Sequence, residues 1–283
     1  MRFPNASTGS KWPDASILFA SGFLFKPSPQ VAVIAAAQLN HDMATIWYDG
    51  LVKKTEPLAP NVRQFWLEMP ELQSFDFKAG QFVTMDLPIG EKRLQRWRSY
   101  SIANAPDGSN MLELCIVRSE KGVATQYLFD EVKPGSALRF KGPDGGFVLP
   151  ENLDKDLVFI CTGTGVAPFR SMLLDLKNNG KTHRNIHLIF GTRTENGILY
   201  RAEFEALART MPGFRYDVAL SRQPDWPGYQ GYVHQIYLEQ YKNIRPDVDF
   251  YICGWSSMID EAVANLMIQL GYDRSQIHFE LYG

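Results

Sequence analysis

The chain has 283 residues, 45% hydrophobic and 21% charged, an ordinary balance for a soluble globular protein of about two domains. A net charge of −2 gives no general attraction to nucleic acid or to an anionic membrane, and neither is expected as a partner. The three cysteines, Cys115, Cys161 and Cys253, are far apart and odd in number, which argues against a disulfide framework and for a reducing, cytoplasmic setting.

Residues 1–43 read as a poorly ordered N-terminal extension. Its apolar pieces, "SILFASGFLF" and "QVAVIAAAQ", are cut apart by Lys26, Pro27 and Pro29, and neither reaches the roughly 18–20 residues of a membrane span. Met43, just before strand-like sequence begins, is a candidate start. Arg2 and Lys11 followed by Ala35-Ala36-Ala37 carry the alternative, an export or organellar signal.

Residues 44–150 are dominated by short β-rich segments: "QFWLEM", "GQFVTMDL", "RSYSIA", "MLELCIV" and "SALRFKG". Turn signals such as Pro106-Asp107-Gly108 separate them, and a helix interrupts them near Ala124 to Glu131. Evenly spaced short strands predict an antiparallel barrel or sandwich. "GPDGGFVLPENLDKD" marks a boundary. In residues 151–283 the apolar runs "LVFIC", "IHLIF", "YDVAL" and "DFYIC" alternate with helical stretches, which predicts a doubly wound parallel sheet buried on both faces. Phe169, Met172, Leu173 and Leu176 form one helical stripe; Ile259, Val263, Leu266 and Leu270 form another, ending at Gly271. His183 and His187 straddle a turn and a strand, so no metal site is expected.

Three stretches carry chemistry. Gly163, Gly165 and Pro168 spell G-x-G-x-x-P between a buried strand and a helix. The glycines let backbone amides approach an anion, and proline suits a first helical turn whose N–H has no partner. Arg98 and Tyr100 share a strand face and can meet one ligand, a guanidinium for a pyrophosphate and a ring for a flat heterocycle, with Ser101 at the ligand's edge. Gly122 opens a turn into a helix whose N-terminus, with Thr125, could take a phosphate.

In this order the stretches resemble the ferredoxin–NADP reductase family of flavoproteins, from about Ile46 to the C-terminus. Arg98-Ser99-Tyr100-Ser101 is similar to its flavin motif R-x-Y-[ST], Leu114-Cys115-Ile116-Val117 to the strand lining the flavin, and Gly122-Val123-Ala124-Thr125 to its pyrophosphate turn. Thr162-Gly163-Thr164-Gly165-Val166-Ala167-Pro168 resembles its nicotinamide motif; Cys253-Gly254 through Met258, with Glu280-Leu281-Tyr282, resembles its C-terminal constellation. The resemblance implies an FAD-binding β-barrel (44–150) followed by an NAD(P)-binding α/β domain (151–283), with hydride passing between nicotinamide and flavin. It implies that Arg98 holds the flavin phosphates, Tyr100 stacks on the flavin, Ser101 stands near its reacting nitrogen and Cys253 lines the nicotinamide slot. Glu280 would form a polar cluster with Ser101, and Tyr282 would cover the other flavin face.

FMN is the alternative to FAD, because the loop Arg118 to Lys121 that would grip the adenine is short. Ser221 and Arg222 resemble the family pair that reads a 2′-phosphate, beside Arg193 at the end of the second strand and Tyr232 as an adenine platform. This favours NADPH modestly over NADH, since Gln230-Gly231 stands where the family has a basic residue. No C-x4-C-x2-C spacing is present, so no iron–sulfur cluster is expected in this chain. The expected function is a reductase exchanging single electrons with a separate acidic carrier of the ferredoxin or flavodoxin class, docked on Lys92, Arg93 and Arg96. Alternatives are a reductase of free flavin, ferric chelate or cytochrome, the reductase component of an oxygenase, and a non-enzymatic flavin or nucleotide sensor.

Overall fold

The computed structural model describes residues 45–281; the expectations for residues 1–43, including the start at Met43, and for Tyr282 lie outside the described residues. Six antiparallel strands come first: β1 (Trp47–Ala59), β2 (Val62–Glu68), β3 (Phe82–Asp86), β4 (Trp97–Ser101), β5 (Met111–Val117) and β6 (Ala137–Asp144). Their order is β4-β3-β6-β1-β2-β5. The outer strands approach each other through an antiparallel bridge from Ile102 to Leu114, curling the sheet around a core of Phe65, Leu67, Val83, Met85, Leu114 and Phe140. A short helix α1 (Arg93–Arg96) leads into β4, and α2 (Val123–Asp130) follows β5.

In β5 five consecutive residues are buried, unlike the alternation expected of a surface strand. Leu112, Leu114 and Ile116 enter the barrel core, whereas Cys115 joins the core of the second sheet. This strand is therefore shared by both halves.

The second sheet is parallel: β7 (Asp156–Thr162), β8 (Ile186–Thr192), β9 (Phe214–Leu220), β10 (Tyr229–Gln230), β11 (Val248–Gly254) and β12 (Ile277–Leu281), in the order β10-β9-β8-β7-β11-β12. One face is covered by α3 (Ala167–Asn178) and α4 (Arg201–Thr210), the other by α5 (His234–Gln240) and α6 (Ser256–Ala264). This is the doubly wound arrangement expected from the apolar runs. The predicted stripe Phe169, Met172, Leu173 and Leu176 is buried. Of the other stripe, Ile259 and Leu266 are buried and Val263 and Leu270 half-buried, and beyond Ala264 the helix widens into a π-helical turn at Asn265–Gln269. Among the described residues no helix is long and apolar enough to cross a membrane.

Candidate active site

The chain moves outward from β7 through β8 to β10, then returns to place β11 on the other side of β7. Ligands of open α/β sheets bind at such a reversal, beyond the carboxyl ends of the strands. There the register aligns Cys161 of β7 with Cys253 of β11, and Cys253 with Glu280 of β12. The Glu280 carboxylate extends to the barrel and accepts a 3.4 Å hydrogen bond from the Ser101 hydroxyl at the end of β4. Burial pushes the Glu280 carboxyl up to about 7, against a smaller opposing effect of the Ser101 hydrogen bond.

A cavity of about 650 Å³ opens at this junction, lined by Phe82, Trp97, Arg98, Ser99, Ser101 and Glu280, among others. The Arg98 guanidinium donates to the carbonyls of Leu94 at 3.2 Å and Trp97 at 2.6 Å, and meets no carboxylate among the described residues. It can thus accept an anion. Ser99 is 3.0 Å from the Thr84 hydroxyl. Tyr100 packs at the edge of the barrel core, where burial pushes its phenol up to about 12. Of the pair expected to meet one ligand, Arg98 lines this cavity and Tyr100 borders the core.

The turn at Gly122 precedes α2 as expected, with Val123 exposed and Ala124 buried. Thr125 uses its hydroxyl locally, donating to the Gly122 carbonyl at 3.1 Å and accepting from the Ser119 amide at 2.9 Å. Along β5, Cys115 and Ile116 are buried, while Val117 reaches a second cavity.

That cavity, about 690 Å³, lies over the ends of β7, β8 and β9. Its walls include Thr162, Gly163, Arg193, Ser221, Arg222 and Tyr232, five strand-end or loop positions and one exposed ring. Gly163 begins a 3-10 turn at φ +53°, with open space where a side chain would be. Gly165 has another cause: a Cβ there would lie 2.3 Å from the Cys253 carbonyl oxygen. It permits the turn to press against β11, the close packing that the common dinucleotide fingerprint assigns to its third glycine. Pro168 follows in the first turn of α3, buried. The Thr162 hydroxyl is buried and has no hydrogen-bond partner among the described residues. Buried polar groups without partners are costly, so a ligand amide or carbonyl suits this place.

Past the strand ends, the Arg222 amide donates to the Arg193 carbonyl at 2.8 Å, and the Ser221 hydroxyl approaches the Thr192 carbonyl at 3.5 Å. Neither the Arg193 nor the Arg222 side chain pairs with a carboxylate among the described residues. The Tyr232 ring, 64% exposed, lies 5.7 Å from the His234 ring. Cys253 is fully buried behind these walls, with Gly254 continuing the strand toward α6.

Sequence reasoning missed Phe82, Trp97 and Trp255 as cavity walls, because single aromatics carry no spacing signal. It also missed a buried polar group around Glu113 and Arg170. A carboxylate inside the apolar run "MLELCIV" was the available signal.

Residues 49–149 match the oxidoreductase FAD-binding domain family, and residues 159–264 the oxidoreductase NAD-binding domain family. Ferredoxin–NADP reductase B of Sorangium cellulosum is 36% identical over 83% of this chain and 97% of its own length. The phenol hydroxylase P5 protein of Acinetobacter pittii is 32% identical over 90% of this chain and 72% of its own. The crystal structure of a ferredoxin NADP+ reductase from Neisseria gonorrhoeae with bound FAD and NADP superposes with a TM-score of 0.70 at 25% identity, covering 86% of this chain and all of that one. The FAD-binding match favours FAD over FMN.

Proposed function

The chain belongs to the ferredoxin–NADP reductase family of FAD- and NAD(P)H-binding oxidoreductases, and from that premise we propose that it is a reductase that takes hydride from NADPH and passes single electrons to a small acidic carrier. The observation that carries this reading is the Ser101–Glu280 contact. It joins the barrel wall that carries Arg98 to the strand ends that carry the nucleotide cavity.

FAD, when bound, would supply the redox chemistry, a two-electron hydride acceptor that can give its electrons up singly. The protein's part is binding, orientation and proton control. Arg98 would hold the flavin's phosphates, and the amides at the start of α2, in the separate turn Gly122-Val123-Ala124-Thr125, would offer them a second anion site. Ser101 presents its hydroxyl at the edge where hydride arrives, and Glu280, poised near neutrality, keeps or releases a proton beside it. The buried Thr162 hydroxyl suits the nicotinamide carboxamide. Cys253 backs this position, and the aromatic Tyr282 would shield the flavin's outer face.

NADPH rather than NADH is supported by Arg193 and Arg222, whose guanidinium groups meet no carboxylate among the described residues and flank one cavity with Ser221. A doubly charged 2′-phosphate satisfies both, whereas a ribose hydroxyl leaves them unmet. Tyr232 offers the adenine an exposed ring.

An acidic carrier is supported by the cations around the flavin cavity. Arg93 lies 4.6 Å over the Trp97 ring, and Arg139 lies 5.3 Å over the Trp47 ring. Arg96 is already bound to Asp86, so of the three expected docking cations only Lys92 and Arg93 meet no carboxylate among the described residues. The three cysteines are free thiols, in keeping with a reducing cytoplasmic setting.

The test is NADPH-dependent reduction of an acidic iron–sulfur or flavin carrier, run beside free flavin and a ferric chelate. The reading expects the carrier to be reduced with the highest kcat/KM, falling steeply with salt. The identity with the phenol hydroxylase P5 protein supports a second reading, in which an oxygenase component receives the electrons. Faster reduction of such a component would favour it.

A further inference from the structure

Where the first turn of α3 meets the barrel strands lies a buried ionic group that none of these roles uses. Glu113, on β5, is 6% exposed. One of its oxygens accepts from the Arg170 guanidinium at 3.0 Å, from the Tyr200 hydroxyl at 3.3 Å and from the Gln64 amide. Arg170, in the first turn of α3, also donates to the Ala103 carbonyl at 2.8 Å and to Glu203 of α4 at 2.7 Å, and its fork lies 4.4 Å over the Tyr200 ring. Next to it, the Ser171 hydroxyl donates to the Asn104 carbonyl at 2.6 Å, while the Asn104 side chain accepts from the Glu113 amide at 2.8 Å. Tyr200 adopts φ +53°, a left-handed conformation rare for a bulky side chain, and so turns its ring into this group.

The contacts have a direction. Arg170 and Ser171 follow two and three residues after Pro168 of the nucleotide motif. Ala103 and Asn104 follow two and three residues after Ser101 of the flavin motif. Glu113 lies two residues before Cys115 on the strand shared by both cores. One guanidinium therefore ties the nucleotide turn to both flavin-side strands. A planar fork with several donors can hold a barrel carboxylate, a barrel carbonyl and an α4 carboxylate at once; an ammonium cannot match that geometry.

We propose that Arg170 is a positioning residue for hydride transfer: it clasps the first turn of α3 to β5 and to the exit of β4, fixing the spacing between nicotinamide and flavin without touching either cofactor. The inference rests on the reductase reading above. Misplacement of reacting groups by about 1 Å can cost roughly 100-fold in rate. Loss of the clasp is therefore read in the transfer step, whereas nucleotide phosphates and flavin phosphates are held by other residues.

Arg170→Met alone leaves Glu113 buried without its cation and can fail to fold. The test therefore uses the double variant Glu113→Gln/Arg170→Met, which removes both charges, beside Arg170→Lys. Each flavoprotein is mixed anaerobically with NADPH, and flavin bleaching is followed over a range of nucleotide concentrations. The clasp predicts a limiting bleaching rate about 10- to 100-fold below wild type in the double variant, with apparent nucleotide Kd within about threefold and flavin content retained. Arg170→Lys is expected to recover only part of the rate. A limiting rate within twofold of wild type, or a loss expressed entirely in Kd, overturns the clasp. A wild-type flavoprotein that neither NADPH nor NADH bleaches overturns the reductase reading instead, so the two failures are distinct.

Discussion

The Ser101 hydroxyl and the Glu280 carboxylate meet at 3.4 Å although they stand 179 positions apart in the chain. One ends the edge strand of the barrel, and the other lies on the last strand of the parallel sheet. Each β-sheet thus contributes one polar group to a single point, and burial there raises the affinity of Glu280 for a proton.

That burial has a stability consequence. The folded protein holds the Glu280 proton up to about 7, whereas an ordinary glutamate releases it near 4.5. Between these values the folded state binds more protons than the unfolded state, so this group's contribution falls as pH rises. Glu280→Gln carries no such dependence. The variant's Tm minus that of wild type is expected to grow from about pH 4.5 to about pH 7 and then level off. A difference that does not change with pH would remove Glu280 from the buried junction.

The two guanidinium groups of Arg193 and Arg222 predict nucleotide discrimination. Arg222→Ala and Arg193→Ala are each expected to raise KM for NADPH by about 10- to 100-fold, the worth of one charge-assisted contact, with KM for NADH changed less than about threefold. Equal effects on both nucleotides would place these residues away from the 2′-phosphate.

The glycines of the nucleotide turn separate space from conformation. Gly165→Ala places a Cβ 2.3 Å from the Cys253 carbonyl oxygen, so backbone must move. A loss of about 1–3 kcal/mol is expected, together with weaker nucleotide binding. Gly163→Ala meets nothing within 4 Å but is held at φ +53°. Its cost is expected near 1 kcal/mol, from conformation alone. Chemical denaturation measures both, and a smaller loss at Gly165 than at Gly163 would contradict the packing account.

The docking surface predicts a salt effect. Lys92→Glu/Arg93→Glu is expected to flatten the dependence of carrier reduction on ionic strength and to leave flavin bleaching by NADPH unchanged. Arg96→Glu is expected to act differently, lowering stability, because it opposes Asp86, to which Arg96 is bound. Unchanged salt dependence in the double variant would locate the carrier elsewhere.

Much of this was legible in local sequence. The parallel strands announced themselves as apolar runs because both faces are covered, and "MLELCIV" was bounded correctly because five consecutive side chains in it find a buried face. Gly163, Gly165 and Pro168 were identifiable because a turn into a helix needs those residue types within a few positions. What sequence hid was tertiary. Nothing local tells that Gly165 answers to a carbonyl on β11 or that Arg96 is neutralised by Asp86. Nor does it tell that Arg170 reaches Glu113 across the two halves. Tyr100 shows the same limit: alternation places it with Arg98 on one strand face, and only the fold shows that it also packs against the barrel core.

The central claim is that hydride crosses from nucleotide to flavin at the junction of Ser101 and Glu280. The most direct measurement is anaerobic mixing of the purified flavoprotein with NADPH and, separately, NADH, following the flavin absorbance. The account predicts bleaching by both, with NADPH effective at the lower concentration, and a slower limiting rate in Ser101→Ala with flavin still bound. A yellow protein that neither nucleotide bleaches, or a Ser101→Ala variant that bleaches at the wild-type rate, would contradict it.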